Sequence, residues 1–267
     1  MNEKLKAFIE ENIELIENSD FEELYKLANQ EFIYYVEVGQ LTEILLEIDI
    51  HPERCLAKLP EHFLYSSKIK KFDIPDNILY IGNAAFCYCE NLEHVTISNS
   101  VAAIGENAFQ FCDNLTDIVI PDTVTTIGAN AFCKCKNLSN VIIGNGVTSI
   151  DSNAFYSCNN LNNIIIGDKV RYIGDHAFRF CPNLISIIIP DNVKEIGDSA
   201  FSYCRNLSSV TISNSIINIG EEAFSGYDNL SINFNGTKEQ WLNIFNPKAF
   251  YRSTFTCHCL DGDIVQR

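Results

Sequence analysis

The stretch Ile120-Pro-Asp-Thr-Val-Thr-Thr-Ile-Gly-Ala-Asn-Ala-Phe-Cys-Lys-Cys-Lys-Asn-Leu-Ser-Asn-Val-Ile142 decides the fold, because it is written seven times over with small changes. Its Ala-Phe pair recurs as Ala85-Phe86, Ala108-Phe109, Ala131-Phe132, Ala154-Phe155, Ala177-Phe178, Ala200-Phe201 and Ala223-Phe224, each step 23 residues. Such a period marks stacked supersecondary units that bury a face only against their neighbours. In Leu-x-x-Val-x-Ile, for example Leu115, Ile118 and Ile120, the last two apolar residues flank an outward one, which predicts a short strand with one buried face. Placed once per coil, these strands pair as a parallel sheet. The Pro-Asp or Ser-Asn step that follows (Pro75-Asp76, Ser98-Asn99, Pro121-Asp122, Pro190-Asp191, Ser213-Asn214) is turn chemistry. Val-x-x-Ile-Gly then returns the chain on the other side.

The remaining positions carry further expectations. The glycines Gly82, Gly105, Gly128, Gly174, Gly197 and Gly220 are expected to supply positive φ or close approach, with Asp151 standing in at the fourth coil. Gly-x-x-Ala-Phe-x-x-Cys reads as a short helical turn whose Ala lets coils approach and whose Phe fills the core. Counting back one period finds Phe63 behind Phe86, and Ile69, Phe72 and Ile74 behind Leu92, Val95 and Ile97. Residues 61–73 therefore read as a degenerate first coil, with Ser66 at the cysteine position, and Asn229 to Phe234 is one residue short. Terminal repeats are expected to be irregular because they cover the open ends of the core.

This unit, Ile-Pro-x-x-Val-x-x-Ile-Gly-x-x-Ala-Phe-x-x-Cys-x-x-Leu, resembles the BspA-like, or Treponema pallidum-type, leucine-rich repeats. The ending Phe234-Asn-Gly-Thr-Lys-Glu-Gln-Trp241, followed by Cys257-His-Cys-Leu-Asp-Gly-Asp263, is similar to the C-terminal cap of that family. The resemblance spans about residues 61 to 267. It implies a curved right-handed solenoid with parallel strands and short helical turns, used for protein recognition, and many such proteins are secreted or surface-attached adhesins of bacteria or protozoa.

Three segments are expected: an acidic helical region over 1–60, a solenoid over 61–234 and a C-terminal cap over 235–267. The first holds 14 Asp/Glu against 5 Lys/Arg. Leu5, Phe8, Ile9, Ile13 and Ile16 fall at helical spacing, and Asp20 precedes Glu23 as in a capping box opening a second helix through Phe21, Leu24, Tyr25 and Leu27. A third helix is expected near Leu41 to Leu46, a new start at His51-Pro52, and a short non-helical apolar stretch at Tyr34, Tyr35 and Val36. In the cap, Trp241, Leu242, Ile244 and Phe245 have amphipathic spacing, and a last strand is expected over Thr254 to Cys259.

The net charge of −16 argues against nucleic acid and anionic membranes as partners and suits solubility or a basic protein. No apolar run approaches the roughly 18 residues of a membrane span. The first residues do not read as a signal peptide, since Glu10, Glu11, Glu14 and Glu17 interrupt the apolar positions, so a cytoplasmic location is expected, with cell surface or non-classical secretion as the alternative.

Candidate chemistry is sparse. Cys89, Cys112, Cys135, Cys158, Cys181 and Cys204 form a column, continued by Tyr227, and read as small buried hydrophobes in a reducing compartment. Cys87 and Cys133 lack a second pair at zinc spacing. Cys257 and Cys259 are the weak metal candidate, with strand alternation sending both sulfurs to one face and His258 to the other. Asn91, Asn114, Asn137, Asn160, Asn183, Asn206 and Asn229 are expected to turn inward and bond backbone, and the Asp/Asn column at 76, 99, 122, 145, 168, 191 and 214 to form turns. His51, His62, His94, His176 and His258 are scattered, and no phosphate loop or nucleophile motif accompanies them. No catalytic residue and no cofactor are expected.

The sharper signal is the outward strand position, which reads Thr96, Val119, Ile142, Ile165, Ile188 and Thr211, beside a polar column His94, Asp117, Asn140, Asn163, Ser186 and Ser209. An apolar stripe with a polar border suits a protein-binding patch. The expected function is a non-enzymatic protein-interaction module using Val119, Ile142, Ile165 and Ile188 with Asp117, Asn140 and Asn163. The alternatives are an exported adhesin and a phage or prophage effector; the sequence leaves the oligomeric state open.

Overall fold

A computed structural model describes residues 3–31 and 35–266, without the side chains of Tyr35 and Val36. It opens with four helices, α1 (Glu3–Glu11), α2 (Ile13–Glu17), α3 (Phe21–Glu31) and α4 (Tyr35–Glu47), and a 3-10 turn at Pro52–Arg54. Leu5, Phe8, Ile16, Leu24, Tyr25, Val38, Leu41 and Leu45 close a small core, with the Tyr25 and Thr42 hydroxyls sharing a buried 2.6 Å hydrogen bond. Phe63 of the first coil meets Tyr25 with ring centroids 5.9 Å apart, so this core runs into the solenoid. The first helical face does not run unbroken to Ile16. Asn12 leaves helical geometry (φ −113°, ψ 24°) and its amide donates to the Phe8 carbonyl, which leaves Ile13 45% exposed. The expected non-helical stretch is also corrected, because α4 begins at Tyr35; Tyr34 lies outside the described residues.

From there the chain lays down two strands per coil. One set is β1 (Lys58–Leu59), β3 (Tyr80–Ile81), β5 (Ala103–Ile104), β7 (Thr126–Ile127), β9 (Ser149–Ile150), β11 (Tyr172–Ile173), β13 (Glu195–Ile196) and β15 (Asn218–Ile219). They form one parallel eight-stranded sheet on the return side. The other set is β2 (Lys71–Asp73), β4 (His94–Thr96), β6 (Asp117–Ile120), β8 (Asn140–Ile143), β10 (Asn163–Ile165), β12 (Ser186–Ile188), β14 (Ser209–Ser213) and β16 (Leu230–Asn235). These are the strands of Leu-x-x-Val-x-Ile, paired in parallel with Asp117 opposite Asn140 and Asn140 opposite Asn163. The shortened last unit shows as a slipped register, Ser209 opposite Ser231.

Between the sheets lies one column of rings. Phe86, Phe109, Phe132, Phe155, Phe178, Phe201 and Phe224 are fully buried, and successive pairs stack near-parallel, for example Phe132 on Phe155 with centroids 5.2 Å apart at 4°. Phe63 meets Phe86 edge-on at 75°, while Phe250 of the cap extends the stack beyond Phe224 at 5.6 Å. The cap itself is α5 (Lys238–Ile244), whose Thr237–Gln240 capping box seats the fully buried Trp241, followed by the hairpin β17 (Phe255–Cys259) and β18 (Gly262–Gln266). The last strand was expected; its antiparallel partner β18 was not.

The expected helical turn does not form. Two residues of each turn, four apart, have positive φ: Asn130 (55°) and Lys134 (62°) in one coil, Asn153 (57°) and Ser157 (58°) in the next. Such residues end helical winding, and the amides between them alternate between bonds within the turn, as from Cys133 to the Asn130 carbonyl, and bonds across coils. The Phe132 amide donates to the Ala154 carbonyl at 2.8 Å, and Phe155 to Ala177 likewise. The column glycines are not in that left-handed region, which among glycines holds only Gly226 and Gly262 of the described residues. They serve close approach: a Cβ on Gly128 would lie 2.7 Å from the Gly105 carbonyl carbon. Asp151 likewise has no positive φ. Its amide reaches the Ile127 carbonyl at 3.2 Å, and the Gly128 amide reaches its own at 3.0 Å, so the same bond forms with a Cβ at this step.

Candidate binding surface

Strand alternation fixes the orientation of the outward column. Val141 and Ile143 are buried, and Ile142 between them is 41% exposed. Val119, Ile165 and Ile188 are likewise exposed, Ile188 most of all at 71%. The four side chains lie on consecutive coils as an apolar ridge ending in Thr96 on one side and Thr211 on the other.

The polar border is held in place. Asn140 donates to an Asp117 carboxylate oxygen at 2.5 Å, Thr116 donates to the other at 2.8 Å, and Asn163 donates to the Asn140 amide oxygen at 3.5 Å. The bonds from Asn140 and Thr116 hold the Asp117 carboxyl below its ordinary range, and nearby His94 adds to this. Asp117 is thus a fixed negative charge beside Val119.

The sheet carrying the ridge is not continuous. Strands β6, β8 and β10 form a three-stranded unit, and no ladder joins β4 to β6 or β10 to β12. Inward Val95 and Ile164, next to these gaps, are only half-buried. At the first gap a groove of about 490 Å³ opens between His94, Thr96, Asn99, Asp117, Val119 and Pro121.

Of the other columns, only the asparagines before the strand leucine depart from expectation; the Asp/Asn column lies in turns and the column cysteines are buried, as expected. The asparagines before the strand leucine do not turn inward, because alternation with the buried leucine puts them outside. Asn160 donates to Asn137 at 3.1 Å and Asn183 to Asn160 at 3.3 Å, an amide ladder in solvent. The Asp/Asn turn column bonds between coils: the Asn145 amide reaches Asp122 at 2.6 Å and Asp168 reaches Asn145 at 2.9 Å. The column cysteines are buried, and each thiol donates to a carbonyl of the preceding coil, Cys135 to Phe109 at 3.0 Å and Cys158 to Phe132 at 3.2 Å. Tyr227 continues the pattern by donating its hydroxyl to the Phe201 carbonyl.

Cys257 and Cys259 do point to one face, with sulfurs 3.7 Å apart, and His258 points away to Asp263 at 3.0 Å. Among the described residues no group of three His, Cys, Asp or Glu side chains is placed to hold a metal. Nor is any helix of the described residues long and apolar enough to cross a membrane.

One surface was missed in the sequence. Two residues after each core Phe, Tyr88 stacks on Phe111 at 4.5 Å with Lys134 over the same ring at 4.8 Å. Farther along, Phe180 stacks on Tyr203 at 4.8 Å under the Arg179 guanidinium. The signal was present as a column, but its residue types change from coil to coil. A second groove, about 690 Å³, lies where α3 meets the first coil, between Glu22, Lys26, Asn29, Lys58, Glu61 and Tyr80.

These features can be set beside known proteins. The BspA type leucine rich repeat region matches in 6 copies, over residues 57–181 and 125–256. The leucine rich repeat protein of T. pallidum is similar at 29% identity and a TM-score of 0.57, covering 62% of this chain and 79% of that one. A leucine-rich repeat protein from Eubacterium ventriosum is similar at 26% identity and a TM-score of 0.55, over 60% of this chain and 43% of its own length. Curated proteins gave no match. With the repeat region matched over most of its length, the chain belongs to the BspA-type leucine-rich-repeat family.

Proposed function

We propose that this chain is a non-enzymatic protein-interaction module that holds a protein partner on the ridge of Val119, Ile142, Ile165 and Ile188. Repeat solenoids of this family are typically scaffolds for protein recognition rather than catalysts. The observation that carries the reading is the ridge itself: four exposed β-branched side chains on consecutive coils, bordered by the pinned polar row of Asp117, Asn140 and Asn163. A flat apolar core inside a polar rim is how protein interfaces are composed. An acidic chain favours a partner with basic groups, and Asp117 offers a fixed anion at the ridge.

The test is a double substitution, Ile142→Asp with Ile165→Asp, compared with Thr148→Asp just before β9 of the opposite sheet. Proteins captured by the native chain and by the Thr148 variant, but lost by the double variant, support the ridge as the binding surface. Capture that survives the double substitution and disappears when residues 1–60 are removed moves the site to the helical end and sinks the proposal.

A further inference from the structure

The C-terminal hairpin holds two thiols that nothing in the solenoid requires. Cys257 sits at the centre of β17, opposite Ile232 of β16 and Ile264 of β18, fully buried. Cys259, two residues on, stands opposite Gly262 near the strand end and is half-buried. Their sulfurs are 3.7 Å apart. The repeat cysteines differ: Cys89, Cys112, Cys135, Cys158, Cys181 and Cys204 are all fully buried, and each donates its thiol to a carbonyl of the preceding coil. Cys87 and Cys133 are buried, and Cys55 is exposed.

We propose that Cys257 and Cys259 are a thiol modification site that closes to an intrachain disulfide on exchange with a small-molecule disulfide. Cys259 is the thiol that solvent reaches. As thiolate it attacks one sulfur of the small disulfide, forming a mixed disulfide and releasing one small thiol. The Cys257 sulfur, already in contact, then attacks the Cys259 sulfur and expels the second small thiol. Two protein thiols are oxidised, one small disulfide is reduced to two thiols, and the two protons go to the departing thiolates. Closure requires a local bend of the strand. Residues two apart on a strand are separated by about 6.6 Å at roughly 3.3 Å per residue, near the upper end of the Cα spacing that a disulfide spans. Closure therefore draws in β17 at Cys259, next to the β17–β18 turn.

Oxidised glutathione on the full folded chain is the direct probe, read by intact mass and peptide mapping. The expected result is a peptide with Cys257 and Cys259 two hydrogens lighter, Cys55 carrying one glutathione and the repeat cysteines unmodified. In Cys257→Ser, glutathione should stay on Cys259 because the resolving sulfur is gone; circular dichroism checks that this variant is folded. The inference is overturned if the native chain keeps glutathione on Cys259 with Cys257 free, if neither reacts while Cys55 does, or if the repeat cysteines react as fast as Cys259.

Discussion

The Cys158 thiol donates to the carbonyl oxygen of Phe132, 3.2 Å away in the preceding coil. That carbonyl also accepts the Cys135 amide of its own coil at 3.3 Å, while the Phe132 amide goes forward to Ala154. The backbone of each core phenylalanine is thereby satisfied without a helix, and the cysteine is a hydrogen-bonding part of the stack as well as a filler. Serine can make the same bond and alanine cannot. Cys158→Ala should cost about 1–3 kcal/mol from the lost bond and the void, and Cys158→Ser less than that. Thermal denaturation of both variants decides it: if Ser is the more damaging, apolar packing alone explains the column.

The same burial makes the stack sensitive to alkali. Desolvation raises the Cys112, Cys158 and Cys181 thiols well above the ordinary value of 9.0, and raises Cys87 to about 12. The folded state favours the neutral thiol, so its contribution is complete below pH 9.0 and declines as pH rises from there toward each folded value. The limiting slope is about 1.4 kcal/mol per pH unit for each buried thiol. Urea denaturation should show stability level from pH 6 to about 8 and falling steeply by about 10. An unchanged midpoint across that range would mean that the thiols are not held neutral by the fold.

Close approach at the glycine column makes a second contrast. A Cβ on Gly197 would meet the Asp175 amide nitrogen at 2.6 Å, and coil spacing cannot relax there without stretching the adjacent bonds. Gly197→Ala should destabilise by about 1–3 kcal/mol. Asp151→Gly should be milder, costing no more than the added chain entropy of about 1 kcal/mol, because this step already accommodates a Cβ. Equal melting temperatures for Gly197→Ala and the native chain would remove close approach as the reason for the column.

What the sequence carried plainly was the period, and with it which side chains stack and which face each strand residue takes. Ile118 and Val119 alternate as their positions in the repeat imply, and Phe132 lies on Phe155. The turns were not legible. Glycine, Ala-Phe and Cys recur at spacings of three and four residues that mimic a helix, and nothing in Lys134 or Phe111 announces a left-handed backbone. Inward amides are the ordinary expectation in stacked coils, but the position of the asparagine column directly before Leu138 and its equivalents places it outside. The breaks beside β4 and β10 have no local signal. The border of the ridge was readable as residue types, but not the bonds that pin Asp117.

The ridge makes the sharpest demand on one peptide unit. Val141 and Ile142 are neighbours of similar size, the first with no exposure and the second with 41%. A carboxylate at position 141 would be buried among Ile118, Ile164 and the ring column, where an unpaired charge is very costly. At position 142 it would stand in water beside Val119 and Ile165. Val141→Asp should therefore abolish the cooperative unfolding transition, while Ile142→Asp should shift stability by less than about 1 kcal/mol. Circular dichroism melts of the pair separate the outcomes. If Ile142→Asp unfolds the chain as Val141→Asp does, the ridge is part of the core, and no partner surface exists on that side.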